Sequence, residues 1–111
     1  MNVRLIPSVE FLCQLKHLSK KYQSIGRDYI ILKESLLQNP LQGIDLGGGI
    51  RKIRMAIGSK GKGKSGGARV LTLTVLVSED VDITLLTIYD KSEIENVSDK
   101  YIKWLVEETK K

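Results

Sequence analysis

The chain has 111 residues, which is enough for one domain with one hydrophobic core, and we expect a single domain over residues 1–111. Its 41% hydrophobic and 28% charged residues exclude wholesale disorder, and its one cysteine excludes an internal disulfide. No signal peptide and no run of about 18 apolar residues is visible, so we expect a cytoplasmic protein without a membrane partner, whose net charge of +5 favours an acidic partner.

The first third of the chain predicts one strand followed by two helices. Residues 3–6 are β-prone and precede a proline, which suits an edge strand. Apolar side chains then recur at helical spacing over residues 8–21 and 26–38, the second helix ending before Pro40. The short connection predicts an antiparallel pair of helices. Cys13 lies among apolar residues of the first helix, and we expect it to be buried.

The rest of the chain predicts three strands and one more helix. A glycine-containing loop covers residues 39–49, after which apolar residues alternate with polar ones or form β-branched runs. The predicted strands lie near residues 50–58, 68–78 and 82–90, and the final helix near residues 98–109. The order β-α-α-β-β-β-α predicts an α+β fold, with an antiparallel sheet, helices packed on one of its faces and a basic cleft on the other.

The segment between the first two of these strands matches a nucleotide-binding motif. Residues 58–65 read GSKGKGKS, which satisfies the P-loop pattern G-x-x-x-x-G-K-[ST]. A P-loop needs a following helix whose amide groups hold phosphate, whereas here a β-branched run follows within a few residues. We therefore exclude a nucleotide-binding loop and predict a glycine-rich hairpin tip.

Basic residues are concentrated in one part of the chain. No acidic residue occurs between Asp45 and Glu79, and this span holds seven of the 18 basic residues. They are Arg51, Lys52, Arg54, Lys60, Lys62, Lys64 and Arg69. A polyanion is the natural partner for such a segment, although a loop that merely keeps the protein in solution would have the same composition.

Four cations are expected to meet on one surface. Lys52 and Arg54 have the same strand parity, so both project from one face of the sheet. Arg69 opens the next strand after two glycines, where a long cation can reach a cleft without core packing, and Lys91 follows the third strand. Such a cluster can grip a phosphate and offset charge in phosphoryl transfer, but Lys52 and Arg54 could also be an ordinary solvated sheet face.

Three segments resemble a known protein family. They are residues 50–54 (IRKIR), 61–70 (GKGKSGGARV) and 88–92 (IYDKS), in this order. Together they closely resemble the HigB-like branch of the RelE toxins, from about Gly47 to the C-terminus. The resemblance implies a ribosome-dependent mRNA endoribonuclease of a type II toxin–antitoxin system. Its implied partners are the ribosome, mRNA and a cognate antitoxin, often a helix-turn-helix protein.

The resemblance also implies roles for the four cations. Lys52 would help to deprotonate the attacking ribose 2′-hydroxyl, Arg54 and Arg69 would hold the scissile phosphate, and Lys91 would lie near the leaving 5′-oxygen. The product would be a 2′,3′-cyclic phosphate, with no metal and no cofactor. Many relatives use a histidine, a glutamate or a late tyrosine as acid or base. The one histidine here, His17, lies in the first helix, so proton transfer falls to Lys52 or to no residue.

A second set of residues is expected to bind RNA outside the reacting centre. These residues are Arg51, Lys60, Lys62, Lys64 and Tyr89. Tyr89 could stack on a base, but as the last residue of an apolar strand it could equally belong to the core.

Two other functions remain open on the same fold. A ParE-type gyrase inhibitor would need no catalytic cluster, and a non-catalytic RNA-binding protein would keep the cleft without turnover. The cluster of Lys52, Arg54 and Arg69 favours the endoribonuclease over the gyrase inhibitor, whereas only an assay separates it from the non-catalytic protein.

Overall fold

The computed structural model describes residues 2–110 as one five-stranded sheet with helices on both faces. The elements are β1 (Val3–Pro7), α1 (Val9–Lys21), α2 (Ile25–Gln38), β2 (Ile44–Gly47), β3 (Ile50–Met55), β4 (Ala68–Val77), β5 (Asp80–Asp90) and α3 (Asp99–Glu108), with a 3-10 turn at Gly58–Lys60. The strands lie in the order β1-β5-β4-β3-β2. The predicted α+β class is confirmed. Within residues 2–110 no helix is both long enough and apolar enough to cross a membrane.

The sheet is mixed, so the prediction of an antiparallel sheet is wrong for its first strand. β1 pairs with β5 in parallel, with Val3 opposite Val81 and Pro7 opposite Leu85. The other neighbouring strands are antiparallel, as predicted. A strand at the start of the chain can lie parallel to one near its end because residues 8–79, which include α1 and α2, form the long connection that parallel pairing requires.

An additional strand, β2, lies within residues 39–49, which were predicted as a loop. It pairs with β3 across a turn in which Gly47, Gly48 and Gly49 all have positive φ. Three adjacent glycines lower the expected strand content, but they also supply the left-handed backbone that a tight hairpin needs. The residues that favoured a loop are therefore the residues that build the hairpin.

The first two helices cover one face of the sheet, here called the α1–α2 face. Ser8 caps α1 by accepting a hydrogen bond from the Phe11 amide at 3.0 Å. The buried side chains of these helices are spaced at helical intervals and meet alternate residues of the strands. This main core includes Phe11, Leu18, Ile25, Leu32, Leu36, Ile53, Val70, Ile83 and Ile88. Cys13 lies on the outer side of α1 and is exposed, so the expectation of a buried thiol is wrong.

The third helix packs on the opposite face, here called the α3 face, and this corrects the prediction that all helices share one face. Leu105 of α3 is buried against Leu71 of β4 and Leu86 and Tyr89 of β5. Val70 and Leu71 are adjacent in β4, point to opposite faces, and are both fully buried. A strand that is buried on both faces has no apolar–polar alternation, so its sequence does not indicate which face receives a helix.

The glycine-rich connection between β3 and β4 is anchored at its base. The Asp28 carboxylate accepts hydrogen bonds from the Gly58 amide at 3.2 and 3.1 Å, and the Ser24 hydroxyl accepts one from the Ser59 amide at 2.8 Å. β4 begins at Ala68, so a strand follows the P-loop-like segment, as predicted. The anchored base holds the ends of β3 and β4 in register below the tip.

Candidate functional site

The strand register brings three of the four predicted cations onto the α3 face. Arg54 of β3 lies opposite Arg69 of β4, and Lys52 lies opposite Leu71. Leu71 packs against α3, so Lys52 and the two arginines project from the same face as that helix. Cα atoms two residues apart on a strand are about 7 Å apart, so Lys52 and Arg54 flank one short stretch of this face.

These cations line one cleft of about 620 Å³. Its walls come from the β2–β3 hairpin, the start of β4 and the segment after β5. The lining residues are Gln42, Gly43, Ile44, Lys52, Ile53, Arg54, Lys64, Arg69, Lys91, Glu95 and Asn96. The structure therefore brings together all four residues predicted to be catalytic and one of the five predicted to bind RNA.

Lys52 and Arg54 keep their positive charges available. The Lys52 ammonium donates a hydrogen bond to the Asn96 side-chain oxygen at 3.3 Å, and this partner is neutral. Arg54 is exposed, and in the described part of the chain neither side chain forms an ion pair. An anion that enters the cleft therefore meets two cations whose charge is not already balanced.

Arg69 is buried, whereas its position after two glycines predicted a side chain that reaches the cleft without packing. Arg69 as a residue is 5% exposed, and its guanidinium donates hydrogen bonds to the main-chain oxygens of Lys64 at 3.0 Å, Ser65 at 3.0 Å and Ala68 at 3.2 Å. Arg69 thus forms the cleft wall and also closes the glycine-rich tip onto β4. Arg69 can do both because a guanidinium has five N–H groups in a planar fork, so several donors can bind main-chain oxygens at the same time.

Lys91 and Lys64 occupy the rim of the cleft. Both are exposed, and the Lys91 amide donates a hydrogen bond to the Gly67 oxygen at 3.2 Å. This bond joins the segment after β5 to the start of β4, so Lys91 is fixed near Arg69 at its backbone while its side chain stays in solvent.

The other residues predicted to bind RNA lie outside the cleft. Arg51 has the opposite strand parity to Lys52, and its guanidinium donates to the Leu41 oxygen at 2.7 Å. Lys62 is exposed on the glycine-rich tip and does not line the cleft. Tyr89 is 5% exposed within the core under α3, and burial raises the pKa of its hydroxyl although the nearby Arg69 charge opposes this. Its ring has no free face for a base.

Lys60 instead forms a buried polar cluster with Asp90 at the end of β5. The Asp90 carboxylate is buried and accepts hydrogen bonds from the Lys60 ammonium at 2.7 Å, the Tyr22 hydroxyl at 2.5 Å and the Ser92 amide at 2.9 Å. Burial by itself would raise the pKa of Asp90, but these hydrogen bonds outweigh it and hold the pKa well below its usual range. The cluster fixes the glycine-rich tip to the segment that begins with Lys91.

Sequence reasoning missed three polar residues of the cleft: Gln42, Glu95 and Asn96. Glu95 and Asn96 follow Lys91 within a short polar segment, and only their nearness to Lys91 could have suggested them. Gln42 sits in a loop with no distinguishing pattern. Among residues 2–110 there is no group of three or more histidine, cysteine or acidic side chains arranged to hold a metal ion.

One comparison with known proteins identifies a family. A family model described as the RelE toxin of the RelE/RelB toxin–antitoxin system matches residues 17–111. The matched region contains every residue that lines the cleft and begins within α1. It agrees with the resemblance carried by the motifs around Lys52, Arg69 and Lys91, and it does not distinguish branches within the family.

Proposed function

Because the chain belongs to the RelE toxin family and is thus a toxin of a toxin–antitoxin system, we propose that it is a ribosome-dependent mRNA endoribonuclease of the HigB-like branch. The observation that carries the proposal is the single cleft lined by Lys52, Arg54, Arg69 and Lys91. Family membership implies an antitoxin partner, and we propose that this antitoxin is a helix-turn-helix protein and that the toxin acts in the cytoplasm.

The chemistry that suits the cleft is transfer of a phosphoryl group within the RNA strand. The ribose 2′-oxygen attacks the adjacent phosphorus, the bond to the 5′-oxygen breaks, and a 2′,3′-cyclic phosphate forms. Negative charge builds on the phosphate oxygens, and fixed cations stabilise it most when they are already in place. Arg54 and Arg69 would hold the phosphate, Lys52 would lie beside the nucleophile and Lys91 beside the leaving oxygen.

A non-catalytic RNA-binding protein is the second candidate, and one observation favours it. The guanidinium of Arg69 already donates hydrogen bonds to three main-chain oxygens, which leaves fewer donors for a phosphate. The free charges of Lys52 and Arg54 support RNA binding equally in both candidates. Turnover is the property that separates them.

The first prediction concerns Arg54, an exposed residue of the cleft that we propose to hold the phosphate. When the toxin is induced in bacteria, we expect new mRNA 5′ ends, and we expect Arg54→Ala to lower the rate of their formation by about 10²-fold because one preorganised charge contact is lost. Mapping of 5′ ends by sequencing measures the sites. Single-turnover cleavage of ribosome-bound mRNA in EDTA, with mass spectrometry of the cyclic phosphate ends, measures the rate.

Arg27→Ala is the matched control, since Arg27 is an exposed arginine of α2 outside the cleft. It should cleave at the wild-type rate. Wild-type protein that binds ribosomes without producing cyclic phosphate ends would support the non-catalytic candidate instead.

The second prediction concerns the salt dependence of RNA binding. Each lysine contact to a phosphate of single-stranded RNA contributes about 0.7 to the slope of log affinity against log salt concentration. Replacing Lys62 and Lys64 together by glutamine should therefore make the slope shallower by about 1.4. Lys60 is left unchanged because it is paired with Asp90. The control replaces Lys16 and Lys20, which are exposed on α1 across the sheet. If the two double variants show the same dependence of log affinity on log salt concentration, the glycine-rich tip does not contact the RNA.

A further inference from the structure

The cleft contains one acidic side chain, Glu95, among the residues that the structure describes. Glu95 is exposed and, in residues 2–110, makes no hydrogen bond or ion pair. It immediately precedes Asn96, whose side-chain oxygen accepts the 3.3 Å hydrogen bond from Lys52. Glu95 and Asn96 both line the cleft, so the segment after β5 brings a carboxylate to the same cleft as Lys52.

A carboxylate in a cationic cleft opposes the binding of an anion, because it repels the phosphate that cations attract. The charged groups that line the cleft with Glu95 are Lys52 and Arg54 from β3, Lys64 from the tip, Arg69 from β4 and Lys91 from the segment after β5. None of them is neutralised by Glu95 in an ion pair. The Glu95 carboxylate thus has no partner among the described residues and does not attract an anion, whereas a carboxylate can accept a proton.

Glutamate and lysine side chains differ in their ability to accept a proton at neutral pH. A glutamate is ordinarily deprotonated at neutral pH and can accept a proton, whereas a lysine is ordinarily protonated and cannot. The Lys52 ammonium is held by a neutral amide, so its charge remains available to the 2′-oxygen as that oxygen loses its proton.

We propose that Glu95 is the general base of the cleft and that Lys52 acts as a cation beside it; this rests on the endoribonuclease proposed above. A Glu95 carboxylate oxygen takes the proton of the 2′-hydroxyl as the 2′-oxygen forms its bond to phosphorus. The bond between phosphorus and the 5′-oxygen breaks, and the 5′-oxygen takes a proton from the Lys91 ammonium. Solvent then returns a proton to Lys91 and removes one from Glu95.

The test compares Glu95→Gln with Glu93→Gln. Glu93 lies in the same segment, is paired with Lys21 at 2.7 Å, and does not line the cleft. Single-turnover cleavage of ribosome-bound mRNA is measured across pH, and affinity is measured with the same mRNA. We expect Glu95→Gln to cleave about 10²-fold more slowly, to lose the acidic limb of the pH–rate profile, and to bind the mRNA at least as tightly as the wild type. Glu93→Gln should keep the wild-type rate and profile.

The outcomes separate this inference from the proposed function. If the wild type cleaves mRNA and Glu95→Gln matches its rate, or is slower but keeps the acidic limb, Glu95 is not the base and the proposed function stands. If the wild type produces no cyclic phosphate ends, both the proposed function and this inference are overturned. Glu95→Asp keeps a carboxylate, so it should retain the acidic limb at a reduced rate. Unchanged thermal unfolding of Glu95→Gln checks that the fold is intact.

Discussion

Replacing Asp90 by asparagine is expected to lower the free energy of unfolding by about 3 kcal/mol. Asp90 has a fully buried side chain, and its partner Lys60 has a side chain that is 11% exposed. Removing the carboxylate charge leaves the Lys60 ammonium largely buried without its counter-ion, which costs more than the pair contributed. Urea-induced unfolding, followed by far-ultraviolet circular dichroism, measures the change.

The same substitution should alter the pH dependence of stability. The pKa of Asp90 in the folded protein lies below its ordinary value of 3.8, so the folded state stabilises the ionised carboxylate. That contribution is fully present above the ordinary value and is lost as the pH falls below it toward the lowered pKa. The Asp90→Asn variant should therefore lose less stability than the wild type over this acidic range.

Asp82→Asn is the matched control for Asp90→Asn, because it makes the same change on the same strand. Asp82 pairs with Arg4 at 2.6 Å, and the Arg4 side chain is 65% exposed. Solvent screens such a pair, so the loss of stability should be much smaller. Equal losses for the two variants at neutral pH would show that the buried cluster contributes nothing beyond an ordinary surface pair.

Replacing Arg69 by alanine is expected to affect both stability and activity. We expect a loss of about 2 kcal/mol in unfolding free energy, because three main-chain oxygens lose a charged donor. We also expect cleavage to slow by about 10²–10³-fold, because the cleft wall loses a preorganised charge. Unfolding in urea measures the first effect, and single-turnover cleavage under conditions in which the variant is folded measures the second.

Arg69→Lys and Arg54→Lys separate charge from geometry. Lysine keeps the charge, but it cannot donate from a planar fork to the oxygens of Lys64 and Ser65 at once. Arg69→Lys should therefore be destabilised, whereas Arg54→Lys, at an exposed position, should not. If Arg69→Ala remained folded and fully toxic, the cluster would be structural and a gyrase inhibitor would replace the endoribonuclease as the favoured function.

The sequence by itself determined the α+β class and predicted the four cations that line the cleft. Helical spacing and the β-branched runs are local properties, and they located α1, α2, α3, β3, β4 and β5 near their observed bounds. Strand parity placed Lys52 and Arg54 on one face, and the hairpin that follows from a glycine-rich tip brought Arg69 beside them. These inferences hold because they depend on residues close together in the chain.

The tertiary structure alone decided features that join distant residues. The parallel pairing of β1 with β5, the packing of α3 on the cleft face and the pair of Lys60 with Asp90 each connect segments whose local patterns do not refer to one another. Glu95 and Asn96 also enter the cleft only because the segment after β5 folds back toward β3. Local propensity determines whether a segment forms a helix or a strand. Burial and hydrogen bonding across the whole fold determine which other segments it packs against. The residues that line the cleft depend on that packing.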